Sequence, residues 1–133
     1  MALLCAATPV LGACSGRGCD STNLAVTPID RSSLESPVTL EARLTSGGDP
    51  VGGAAVSFFV LRDGPMTKSR SRLVGAADTD ANGVARLSFS RGLASLEPPD
   101  YVIHGYSAEF RFTGSVPGRE GDLCRAQSEF VFV

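Results

Sequence analysis

Between Val38 and Thr45 the chain alternates without a break. Val38, Leu40, Ala42 and Leu44 are apolar, and Thr39, Glu41, Arg43 and Thr45 are polar. Successive side chains of a strand point to opposite faces, so this pattern predicts a strand with one buried and one wet side. The same period of two recurs downstream. Ala55–Leu61 places Val56, Phe58 and Val60 on one side, and Val84–Ser90 places Ala85, Leu87 and Phe89 inward. Tyr101–Tyr106 reads as another strand, with Phe110-Arg111-Phe112 extending it or pairing beside it. Leu24–Thr27 is a short first strand stopped by Pro28, which suits an edge, and Phe130–Val133 is the last. Lys68-Ser69-Arg70-Ser71-Arg72 leads into Leu73-Val74 and reads as an exposed edge strand whose charges discourage aggregation.

Turn signals separate these runs: Ser46-Gly47-Gly48-Asp49-Pro50, Arg62-Asp63-Gly64-Pro65 and Thr79-Asp80-Ala81-Asn82-Gly83. No helical period is present. About seven short antiparallel strands that must share one core predict an all-β fold, a two-sheet β-sandwich of the immunoglobulin-like kind. The 133 residues, 43% hydrophobic and 20% charged, suit one such domain, and 15 Gly with 8 Pro fit many turns. A net charge of −2 argues against nucleic acid, which asks for a strongly basic face.

The N-terminus differs from the rest. Met1–Ala13 is almost wholly apolar or small and leads into Leu11-Gly12-Ala13-Cys14. This resembles the lipobox of bacterial lipoproteins, and the resemblance implies cleavage before Cys14 and a lipid on that cysteine. No Lys or Arg precedes the apolar run; a start codon farther upstream would supply one. Ordinary signal cleavage and an uncleaved apolar N-terminus are the alternatives. Residues 14–23 are small and polar and read as a tether, with the domain spanning 24–133. Of the four cysteines, cleavage would remove Cys5 and lipid would occupy Cys14. Cys19 and Cys124 would then form a disulfide in an oxidising compartment, with two free thiols as the reducing alternative.

A second resemblance covers roughly Leu24–Val133. Val51-Gly52-Gly53-Ala54-Ala55-Val56-Ser57-Phe58, then Asp78-Thr79-Asp80-Ala81-Asn82-Gly83-Val84-Ala85, then Tyr101-Val102-Ile103-His104-Gly105 resemble the bacterial Ig-like repeats of the invasin and intimin type. The resemblance implies an extracytoplasmic spacer or adhesive module without catalysis. Tyr101 resembles the tyrosine corner of such folds.

Candidate chemistry is sparse. Asp78-x-Asp80-x-Asn82-Gly83 begins like a calcium loop, but position twelve is Phe89, so a hairpin turn is the better reading. His104, the single histidine, has no ligand-type neighbours in sequence and reads as a partly exposed strand residue. No Gly-x-Ser-x-Gly elbow occurs. The expectation is therefore no enzyme, no metal and no cofactor. Strict alternation also implies a binding face. If Val56, Phe58, Val60, Tyr101 and Ile103 are core, then Phe59, Leu61, Val102, His104 and Tyr106 point outward as a partly apolar strip. The expected role is a lipid-anchored envelope module meeting an envelope or extracellular protein, touching the membrane through its lipid alone. A soluble secreted inhibitor or ligand-binding sandwich is the alternative.

Overall fold

The strand Val38–Ser46 forms as its alternation requires: Val38, Leu40, Ala42 and Leu44 are buried while Thr39 and Arg43 are exposed. A computed structural model of the chain describes residues 19–65, 70–98, 100–111 and 122–132. In chain order the strands are β1 (Cys19–Asp20), β2 (Asn23–Val26), β3 (Val38–Ser46), β4 (Asp49–Pro50), β5 (Ala55–Asp63) and β6 (Arg70–Asp78). They continue with β7 (Val84–Phe89), β8 (Val102–Phe110), β9 (Asp122–Leu123), β10 (Ala126–Gln127) and β11 (Val131–Phe132). Short 3-10 turns at Arg31–Leu34 and Leu93–Leu96 cap one end of the barrel-less sandwich.

One sheet centres on β3, which pairs antiparallel with β2 on one side and with β7 and β4 on the other. The other sheet runs β6-β5-β8, and β8 then pairs with both β10 and β11. The chain changes sheet between β4 and β5, between β6 and β7, and between β7 and β8. Short turns drive the hairpins. Gly47 and Gly48 both take positive φ, 61° and 87°, in the two-residue turn joining β3 to β4. Gly83 has φ 78°, and a Cβ there would lie 2.5 Å from the Leu44 carbonyl oxygen, so the β6–β7 turn requires glycine.

The inner faces interdigitate by size. Leu40, Ala42, Leu44 and Ala85 meet Val56, Phe58, Val60, Tyr106, Ala108 and Phe110, all but fully removed from solvent. Small residues face large ones: Ala108 lies opposite Phe58 in the register, and the Phe58 and Tyr106 rings stack with centroids 6.5 Å apart.

A β-bulge corrects the strict alternation assumed for β8. Leu61 pairs with Gly105 but Arg62 pairs with Ile103, so His104 is an extra residue in β8. The bulge reverses parity beyond it. Ile103 and Tyr106 both point inward, and Tyr106 is fully buried instead of facing outward. Its hydroxyl crosses to the other sheet, donating to the Thr27 carbonyl oxygen and lying 3.3 Å from that of Glu41. Tyr101, read as the tyrosine corner, is not the residue whose hydroxyl makes this bond. Tyr101 is instead half-buried, with the Arg62 guanidinium 4.6 Å from its ring centroid.

Burial pushes the Tyr106 phenol up to about 12, above its ordinary value of 10.0. The neutral phenol is the form the fold retains. Its contribution is therefore intact below about pH 10, where the unfolded tyrosine is also neutral, and is lost as pH rises from there towards 12. Tyr106→Phe is expected to lower stability by about 1 kcal/mol at neutral pH. Its stability should fall less steeply than the wild type's through alkaline pH, followed by denaturant titration at successive pH values. Parallel curves for the two proteins would deny Tyr106 this role.

Candidate functional site

Cys19 and Cys124 form a disulfide, with Cα atoms 5.1 Å apart across a sequence separation of 105. Around it the chain ends are knitted together. β1 and β9 pair in parallel, with Cys19 opposite Asp122 and Asp20 opposite Leu123. The Cys124 amide donates to the Asp20 carbonyl oxygen at 2.9 Å, and the Thr22 hydroxyl donates to the Cys124 carbonyl oxygen at 2.8 Å. Ser46 donates from its hydroxyl to the Ser21 carbonyl oxygen at 2.8 Å. Cys19–Asn23 is thus built into the fold. The reading of residues 14–23 as a tether fails for this part, because small polar side chains here bond to backbone groups that the strand ends leave over. Cys14 lies outside the described residues, as do Cys5, Lys68 and the segment 112–121.

The outer face of the β6-β5-β8 sheet is where the candidate strip was expected. β5 and β8 are neighbours, as that reading needs. Phe59 and Leu61 lie on this face half-buried, Val102 is 56% exposed, and His104 is partly exposed at the bulge. Tyr106 does not belong to it, for the reason given above. Leu73 of β6, opposite Phe59 in the register and 55% exposed, joins the face instead. The sequence reading missed Leu73, although the charge–hydroxyl alternation before it was the available signal. The Arg111 guanidinium sits 5.7 Å from the Phe59 ring centroid and covers part of that ring. Glu109 accepts from the same guanidinium, so this end of the face is polar. At the other end His104 Nε2 is 2.8 Å from Asp63 Oδ2, both side chains being about 40% exposed (40% and 38%). A histidine held in this way by a strand-end carboxylate is fixed in orientation.

A second cluster lies where β5, β6 and the turn before β8 meet. The Glu97 side chain is only 2% exposed and takes two ion pairs, one from Arg62 at 3.1 Å and one from Arg72. Arg72 also donates to the Leu96 carbonyl oxygen at 2.6 Å. β6 is the edge strand expected, and on it the exposed Arg72 is drawn onto Glu97 by charge. The group ties the Leu93–Leu96 turn to the sheet, which is a structural use of the charges. Glu97 had no sequence signal, since Leu96-Glu97-Pro98 reads as an ordinary loop.

The acidic turn before β7 is likewise satisfied internally. One Asp80 carboxylate oxygen accepts from the amides of Asn82 at 2.8 Å and Val84 at 3.1 Å, and the other accepts from Arg86 at 3.0 Å. These bonds, led by the Val84 amide, hold the Asp80 carboxyl below its ordinary range. They make it the anchor of the turn that carries the chain from β6 in one sheet to β7 in the other, which corrects the hairpin expected there. Among the described residues no group of three or more His, Cys, Asp or Glu could hold a metal ion. Among them, too, no helix is long and apolar enough to cross a membrane. No protein-family model matches the chain, and neither does any curated protein sequence.

Proposed function

We propose that this protein is a non-catalytic extracytoplasmic module of the immunoglobulin-like kind, held at the cell envelope by a lipid on Cys14, with a structural or adhesive role towards a protein partner. The observation that carries this reading is the Cys19–Cys124 disulfide. Such bridges persist in oxidising compartments and staple small exported domains, whose cores are limited by their size. The sequence Leu11-Gly12-Ala13-Cys14 supports the anchor. The partner-facing surface is the outer face of the β6-β5-β8 sheet, where Leu73 and Val102 are large apolar residues more than half exposed.

The anchor is tested in cells expressing the chain with a short basic segment added before Met1, which supplies the charged region that export requires. The protein should incorporate labelled palmitate and enter the detergent phase, and Cys14→Ala should do neither. Equal labelling of the two proteins removes the lipid from this reading, and an exported aqueous-phase protein favours a soluble secreted binder. For the surface, Leu73→Asp with Val102→Asp should leave the melting temperature within a few degrees of wild type, since surface changes are usually worth about 0.5 kcal/mol or less. The same variant should lose association with envelope material. Unchanged association would leave this face without the proposed role.

A further inference from the structure

We propose that the domain stands on the bilayer by its Cys19–Cys124 end and presents the opposite end, with Val102 and the Asp63–His104 pair, away from the lipid; this rests on the lipid anchor proposed above. The fold has two unlike ends. The near end carries the disulfide, the Gly47-Gly48 turn and the Asp80–Gly83 turn, which meets it through the Gly83 carbonyl oxygen bonded to the Leu44 amide at 2.8 Å. The far end carries the 3-10 turns at Arg31–Leu34 and Leu93–Leu96 and the junction of Asp63 with Val102. The nine-residue strand β3 runs from one end to the other, a length of about 30 Å at roughly 3.3 Å per residue.

The occupant of the near end follows from the length of chain before it. Only Ser15, Gly16, Arg17 and Gly18 separate Cys14 from Cys19. Fully extended, that connection spans at most about 18 Å, less than the length of the domain. A lipid on Cys14 therefore keeps Cys19 close to the headgroups, while the far end is free to stand clear of them. The bridge makes the restraint firm. Cys19 is covalently joined to Cys124, and the Cys124 amide and carbonyl are bonded to Asp20 and Thr22. Peeling off β1 does not lengthen the leash while the disulfide holds Cys19 to Cys124. The direction of β8 and β11 agrees with this division. β11 pairs with Tyr106 and Gly105, so the described chain leaves towards the far end, opposite to where it enters. Lying flat would need a face that lipid attracts. The outer face of the β3 sheet presents Thr39, Arg43 and Ser88, the β6-β5-β8 face with Leu73 and Val102 is the one given above to a protein partner, and the net charge of −2 gives no general pull to anionic headgroups.

The test uses the full chain with Cys5→Ser, coupled chemically through Cys14 to a maleimide lipid in nanodiscs, so that it does not depend on lipidation in cells. Amide relaxation is compared with and without nitroxide-headgroup lipid. Amides of Gly47, Gly48 and Ala81 should broaden strongly, and those of Ile103, His104 and Gly105 should change several-fold less. Equal broadening at both ends, or stronger broadening around Val102 and Leu73, overturns the orientation. With Cys19→Ser and Cys124→Ser added, the contrast between the ends should shrink as the leash lengthens towards β2. An unchanged contrast in that variant would mean that the disulfide does not set the orientation. Palmitate labelling in cells fails or succeeds separately, so loss of the anchor reading and loss of the orientation are distinguishable.

Discussion

Replacing Cys19 and Cys124 together by serine is expected to lower stability by about 2–5 kcal/mol. The bridge closes a loop whose ends are 105 residues apart. Loop-closure entropy for that length corresponds to about 4–5 kcal/mol, with less realised where the reduced chain keeps some order. The local pairing cannot replace it. β1 and β9 have two residues each, and a parallel pair so short has no independent stability. In thermal unfolding the melting temperature should drop by on the order of 10–20 °C. Wild-type protein treated with reductant should fall to the same value as the double variant. A drop of less than a few degrees in both would mean that the strand ends hold without the covalent link. The consequence reaches beyond stability, because the bridge also joins Cys19, just after the proposed lipid site, to the end of the domain that carries Cys124.

Glu97→Gln should cost about 2–4 kcal/mol. The carboxylate is 2% exposed and faces two guanidinium groups, so removing its charge leaves two cations crowded together with one amide between them. Breaking a buried ion pair typically costs about 3–5 kcal/mol. The figure here is lower because Arg62 and Arg72 remain 22% and 46% exposed and recover part of their hydration. Replacing the whole group by apolar residues (Arg62→Met, Arg72→Met, Glu97→Leu) should cost less than the single change, since no charge is stranded. Denaturant unfolding of the single and triple variants checks the order. Hydrogen exchange should rise first in Leu93–Glu97, the turn that the ion pairs hold down. A triple variant less stable than Glu97→Gln would show that the charges contribute net stability as a group.

The readable parts of the chain were those governed by local period. β3, β5 and β7 follow from alternation alone, because one buried face forces every second residue to be apolar. The turns at Gly47-Gly48 and Asn82-Gly83 follow from the backbone freedom of glycine and from side-chain oxygens close in sequence. Asp80 holds its own turn, as nearby donors allow, but that turn crosses from one sheet to the other where a hairpin was read. By contrast, three features depended on residues far apart in sequence. The bulge at His104 arises where β8 must match β5 on one side and place Tyr106 against Thr27 and Glu41 across the core. A period-two reading has no place for an extra residue, so it assigned Tyr106 to the wrong face. The Glu97 ion pairs join a loop to two strands more than twenty residues away (Arg72 at a separation of 25), and nothing local marks them.

What the sequence by itself determined is the class of the fold, the positions of its longer strands and the neighbourhood of β5 and β8, with Cys19 and Cys124 as the expected pair and two free thiols as the alternative. Each of these rests on spacing, on the small number of ways to bury one face, or on cysteine arithmetic. Tertiary structure alone decided which side chains reach solvent on the outer face and how the ends are closed. It placed Leu73 beside Phe59 and withdrew Tyr106 into the core. It also turned Cys19–Asn23 from tether into strand and anchor. The physical reason is the same in each case: one inserted residue, or one hydrogen bond to a distant carbonyl, changes the facing of everything after it, and that choice is made by packing between sheets.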